Sequence, residues 1–137
     1  MPESALARKL KLKAGQRAII INAPEGYLEA LRPLPDGVEL LDHVEMQVDW
    51  AQLFVKNKSE LDRLAPPVIG ALKPDSLLWI SYPKGTSKIQ TDLTRDKGWD
   101  TIQQAGLKWI TLISVDETWS AFAIRPYKPG EKRQSFR

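Results

Sequence analysis

Two runs in this sequence are apolar on both faces: RAIIIN at residues 17–22 and SLLWISY at 76–82. A strand with one wet face alternates polar and apolar residues, whereas a strand covered on both sides reads as a continuous apolar run. Both runs are too short for stable helices and are rich in β-branched or aromatic residues. They therefore read as central strands of a parallel sheet. Such a sheet needs right-handed crossovers, which place helices on both of its faces.

The rest of the chain supplies those helices and the remaining strands. SALARKLKL at 4–12 puts Leu6 and Leu10 on one helical stripe, with Ser4 as N-cap and Gly15 near its end. A short helix is expected from Glu25 to Leu31, after Pro24 has ended the first strand. VELLDHV at 38–44 and AQLFVK at 51–56 read as strands. A helix opening at Ser59 runs through VIGAL, and Pro66-Pro67 must kink or restart it. Lys73-Pro74-Asp75 reads as a turn, residues 83–95 as an ordered loop, and 96–105 as a helix closed by Gly106. KWITLISV at 108–115 and SAFAIRP at 120–126 are joined by DETW. That connection is too short for a crossover helix, so this last pair must be antiparallel. The expectation is a Rossmann-like α/β three-layer sandwich.

At 137 residues the chain suits one domain, read here as 1–126, followed by a basic, flexible tail at 127–137. With 42% apolar residues it is too apolar for disorder. The formal net charge of +3 is unevenly placed. Residues 1–17 carry +4 and 126–137 carry +3, which leaves the body between them at −4. Basic residues confined to the ends make a poor nucleic-acid surface, so no specific nucleic-acid partner is expected. The absence of cysteine excludes disulfides, thiol catalysis and cysteine-ligated metals, and fits a cytoplasmic protein. The single histidine, His43, excludes a His-rich metal site, and no metal is expected. It has no G-x-S-x-G elbow to serve, so it reads as solvent-facing. The apolar runs are too short to span a membrane, and no apolar secretory segment is seen at the N-terminus.

LKPDSLLWISYP, residues 72–83, resembles the LKPGG-plus-strand segment of class I S-adenosylmethionine-dependent methyltransferases. The closing pair of strands resembles that family's antiparallel hairpin. The motifs NAPEGY, YPKG, TDLTRD and DETWS resemble a small bacterial family of unknown function with a reduced version of the same fold, over roughly residues 6–126. The resemblance implies a six-stranded, mostly parallel sheet of order 2-1-3-4-6-5, with strand 6 antiparallel. One family strand is missing, because residues 43–50 are too short for a helix and a strand. Methyltransferases place a glycine run after the first strand, where the backbone must approach the cofactor. Here that stretch is Asn22-Ala23-Pro24-Glu25-Gly26-Tyr27, with one glycine. Asp42 stands near the end of strand 2, where the family carries an acidic residue for ribose hydroxyls. The departures lead to no cofactor being assigned and to a non-catalytic reading. A small active methyltransferase is the alternative.

In an open α/β sheet, ligands bind beyond the carboxyl ends of the strands. Three polar loops should meet there. Asn22, Glu25 and Tyr27 come from the first, and Asp116 and Trp119 from the last. Lys84, Thr86, Lys88, Thr91 and Arg95 lie in the long loop between. Cations and hydroxyls ahead of a helix suit a small anionic or nucleotide-like ligand. The commoner arrangement is that Asp92 and Asp96 pair with the bases while Thr94 or Asp96 caps the helix. Of five tryptophans, Trp79 and Trp109 read as core, and Trp50 and Trp119 as cleft or surface residues. Aromatics exposed together would suit a homodimer interface, a third reading.

Overall fold

The computed structural model describes residues 3–45, 47–89, 91–94, 97–128 and 130–132. The strands are β1 (Arg17–Ile21), β2 (Glu39–Leu41), β3 (Val48–Phe54), β4 (Leu72–Pro83), β5 (Lys108–Ser114) and β6 (Trp119–Arg125). They form one sheet of order β2-β1-β3-β4-β6-β5. β2, β1, β3 and β4 run parallel, and β6 is antiparallel to both its neighbours, β4 and β5. The expected order and the antiparallel strand are both present.

Alternation along the central strands divides the core into two layers. Ile19, Leu53, Leu78 and Ile80 face α3 (Lys58–Gly70) and α4 (Asp100–Gln104), and pack on Leu61, Ala65, Val68 and Ile102. Ala18, Ile20, Trp50, Phe54 and Trp79 face α1 (Ala5–Lys9) and α2 (Tyr27–Leu31), and pack on Ala7, Leu10 and Leu31. Ser4 caps α1 as expected, accepting a bond from the Ala7 amide at 3.0 Å. Two indoles then hold the end of this segment on the sheet. The Leu10 carbonyl accepts from Trp50 Nε1 at 2.9 Å and from Trp79 Nε1 at 2.7 Å. Trp50 is therefore core, not surface. Trp119 is buried too.

Three local readings are corrected. β3 opens at Val48, and β4 opens at Leu72, four residues before the apolar run. Pro74, which cannot donate to a ladder, sits where the β3–β4 register shifts, so the expected turn is an irregularity within one long strand. α3 runs unbroken through Pro66 and Pro67, both exposed on its outer side. Its cap is Asn57, whose Oδ1 accepts from the Glu60 amide at 2.9 Å, while Glu60 reaches back to the Lys56 amide at 2.6 Å. The cap thus lies two residues before Ser59, where the helix was expected to open. Asp62 is freed for Lys58 Nζ at 2.7 Å and Thr101 Oγ1 at 2.6 Å, a link from α3 to α4.

At the amino ends of the strands, Asp49 ties three of them together. It accepts from the Arg17 amide at 2.9 Å and from Lys73 Nζ at 2.8 Å. The Arg17 amide first, and then Lys73, hold its carboxyl below the usual range. A depressed carboxyl contributes stability that is complete above its unfolded value, near pH 4, and lost as pH falls through the folded one. Asp49→Asn should therefore cost about 1–2 kcal/mol at pH 7, with the gap to the parent closing toward pH 3. Urea unfolding at the two pH values measures this, and a gap that ignores pH would refute the assignment.

Candidate functional site

The carboxyl ends of β1, β3, β4 and β5 share one rim with the start of β6. Asn22, the first residue past β1, has φ +64°, a left-handed conformation that asparagine tolerates better than most residues. Its Nδ2 donates to the Phe54 carbonyl at 2.8 Å, joining the turn to the end of β3. The Tyr27 amide closes the turn on the Pro24 carbonyl at 3.1 Å, and Gly26 supplies the second positive φ, +81°. Glycine is needed there for the sign of φ.

Tyr27 then turns inward and is buried. Its ring meets Phe54 edge-on at 4.6 Å, and Phe54 meets Trp119 at 5.1 Å and 88°. Its hydroxyl donates to Gln52 Oε1 at 2.6 Å, and Gln52 Nε2 donates to Ser81 Oγ at 3.0 Å. Burial above all, with the Asp116 charge adding to it, lifts the Tyr27 pKa well above its ordinary value. The hydroxyl stays a neutral donor.

The β5–β6 connection is closed by Asp116, whose Oδ1 accepts from the Thr118 and Trp119 amides, each at 2.8 Å. The loop after β4 is joined to it, because the Lys84 amide donates to the Thr118 carbonyl at 2.8 Å. Lys84 Nζ donates to Ser114 Oγ at 2.6 Å. Lys9, from α1, donates to the carbonyl of the same serine at 2.5 Å.

The structure thus brings Asn22, Tyr27, Lys84, Asp116 and Trp119 to one rim. The other predicted residues lie apart from it. Glu25 is exposed and makes none of these contacts; Thr86 and Lys88 are exposed on the long loop. Thr91 Oγ1 accepts from the Leu93 amide at 3.0 Å. Asp92 accepts from the Lys58 backbone amide at 2.7 Å, and among the described residues no loop lysine pairs with it. α4 is preceded by Trp99 with no side-chain cap, which replaces the cap expected from Thr94. Arg95 and Asp96 lie outside the described residues. Asp42 borders a separate cleft of about 500 Å³, walled by Ile20, Leu28, Arg32, Val38 and Leu40. His43 is exposed there between Asp42 and Glu45, each 3.2 Å away, and the Asp42 bond foremost raises its pKa. Among the described residues no group of His, Asp and Glu is placed to hold a metal.

Sequence reasoning missed Gln52, Phe54, Ser81, Ser114 and Lys9. A lone glutamine and a lone serine inside apolar strand runs were a readable signal, since a buried amide and hydroxyl need partners. Nothing local links Lys9 to Ser114.

No protein-family model and no curated protein matches the sequence. Solved structures do. A ribosomal protein L11 methylase from Lactobacillus delbrueckii subsp. bulgaricus is 13% identical, with 89% of this chain and 76% of that one covered and a TM-score of 0.58. DhpI, solved as a complex with SAH, is 11% identical over 89% and 82%, with a TM-score of 0.61. For the mitomycin 7-O-methyltransferase MmcR the figures are 12%, 82% and 49%, and 0.58, so this chain spans about half of that enzyme. The fold is methyltransferase-like. The turn after β1 does not fit that fold's cofactor: its asparagine amide is committed to Phe54, Pro24 offers no N–H, and Tyr27 is wedged into the aromatic cluster behind it.

The buried relay has a measurable consequence. Tyr27→Phe should cost about 1–3 kcal/mol in urea unfolding, because Gln52 Oε1 loses its donor inside the core. Adding Gln52→Leu should recover part of that loss, since it removes the orphaned Oε1, although the Ser81 hydroxyl then loses the Gln52 amide. A double variant that loses the sum of both single costs would refute the relay.

Proposed function

We propose that this chain is a binding domain that retains a methyltransferase-like scaffold without transferring a methyl group, and that its ligand is a small anion or nucleotide-like molecule held at the carboxyl rim. One observation carries the reading: the turn after β1 is closed by the Asn22–Phe54 bond and by buried Tyr27. A glycine-rich turn leaves room for a ligand to lie against the backbone. This one places a proline and an aromatic ring there instead. Lys84 supplies positive charge at the same rim, with no carboxylate partner among the described residues. The Lys84 charge supports anion capture, and the rim carboxylate Asp116 is engaged by two backbone amides.

A second reading, an active small methyltransferase, is favoured by the cleft at Asp42. Its volume suits a small ligand and its Asp42 side chain is 95% exposed. Calorimetry with S-adenosylmethionine and S-adenosylhomocysteine separates the two. The expected result is no saturable heat at micromolar ligand and no methyl group transferred to any protein or small-molecule acceptor offered. Micromolar binding that Asp42→Ala abolishes, accompanied by transfer, would establish the second reading in place of the first.

A further inference from the structure

We infer that Lys9 and Lys84 form a two-ammonium receptor for a phosphate group at the open end of β5, over Ser114. This deepens the anion reading above and rests on it. The two lysines come from α1 and from the loop after β4, yet both end on the oxygens of one exposed residue, at 2.5 and 2.6 Å. Three lysines have carboxylate partners: Lys58 has Asp62, Lys73 has Asp49 and Lys108 has Glu131. Among the described residues Lys9 and Lys84 have none, and they differ from the other unpaired lysines in ending on one shared residue. Two ammoniums drawn together without a counter-charge repel each other, and an anion between them removes that cost.

The surroundings leave the pair available. Each ammonium has three N–H donors and uses one on Ser114, so spare donors remain on both. The carboxylate in the adjoining turn, Asp116, spends Oδ1 on the Thr118 and Trp119 amides. Its main-chain carbonyl takes the Ser114 hydroxyl at 3.3 Å. β5 is the last strand of the sheet, and its end at Ser114 is open to solvent. A charge of two, with donors approaching from two sides, matches a phosphate dianion with three acceptor oxygens better than a singly charged carboxylate. The phosphate could be free or could be the end of a small phosphomonoester.

Amide NMR titrations at constant ionic strength, with chloride as the compensating salt, test this using inorganic phosphate and, separately, AMP. The expected result is saturable shifts centred on Lys84, Ser114 and Val115 with at least one of the two probes. Response to phosphate alone marks free phosphate as the ligand, and markedly tighter binding of AMP marks a phosphomonoester. Lys9→Gln and Lys84→Gln should each weaken binding about tenfold, and Lys→Arg at either place should restore most of it. No saturable response, AMP shifts centred on the Asp42 cleft, or affinity unchanged in Lys9→Gln would overturn the proposal. None of those outcomes touches the closed-turn reading, which stands or falls on methyl transfer.

Discussion

Gln52 sits fully buried in the middle of β3, at the centre of the sheet, and its amide has to be satisfied from within. Tyr27 approaches from the turn after β1 and Ser81 from β4. The requirement reaches outward from there. Tyr27 can meet Gln52 only if α2 starts where it does, and α2 starts there because Gly26 takes a positive φ. With Tyr27 inside, Phe54 and Trp119 close around it and the end of β3 is joined to the start of β6. A single polar residue in an apolar strand thus determines the shape of the rim.

The opposite end of the sheet is organised by charge rather than by aromatic packing. Asp49 links the start of β1 to β4, and Arg17 reaches Glu39 at 3.1 Å and Glu45 at 3.1 Å. Exposed pairs of this kind add little stability singly. Asp49 differs because one of its bonds comes from a backbone amide that would otherwise lack a partner. The C-terminal segment uses the same device. Glu131 accepts from both Arg125 and Lys108 and from the Lys128 amide, and these bonds hold its carboxyl well below the ordinary range. Glu131 thereby ties the C-terminal segment to β5 and β6.

The central parallel strands and the closing hairpin were legible from apolar patterning and connection length, and the full strand order from the resemblance to methyltransferases. Strands buried on both faces must be central and parallel, and a four-residue connection must be a hairpin. The boundaries were less legible. Lys73-Pro74-Asp75 looks like a turn because Pro74 cannot sit in a regular ladder, yet the ladder accommodates it by shifting register. Pro66 and Pro67 look like a break, yet they lie on the exposed side of α3. Trp50 and Trp119 were placed at the surface because their neighbours are acidic or polar. Their burial depends on Leu10 and Phe54, residues far away in sequence. The rim loops were found from topology alone. What each side chain does there depends on tertiary partners that no local spacing encodes.

In an open α/β sheet the scaffold and the chemistry are carried by different residues. The methyltransferase-like sheet is specified by the two apolar faces and by the short final connection, features that carry no chemistry. A site is specified by a few residues in the turns, and those are free to change while the faces are kept. Here the first turn has been taken over by packing: Asn22, Gly26 and Tyr27 all serve Phe54, Gln52 or the start of α2. Polar groups with bonding capacity to spare lie at its two sides, Asp42 toward β2 and the Lys9–Lys84 pair toward β5. On the reading proposed above, a ligand of this chain is gripped at the flanks of the rim rather than at its centre, and the positive flank suits an anion.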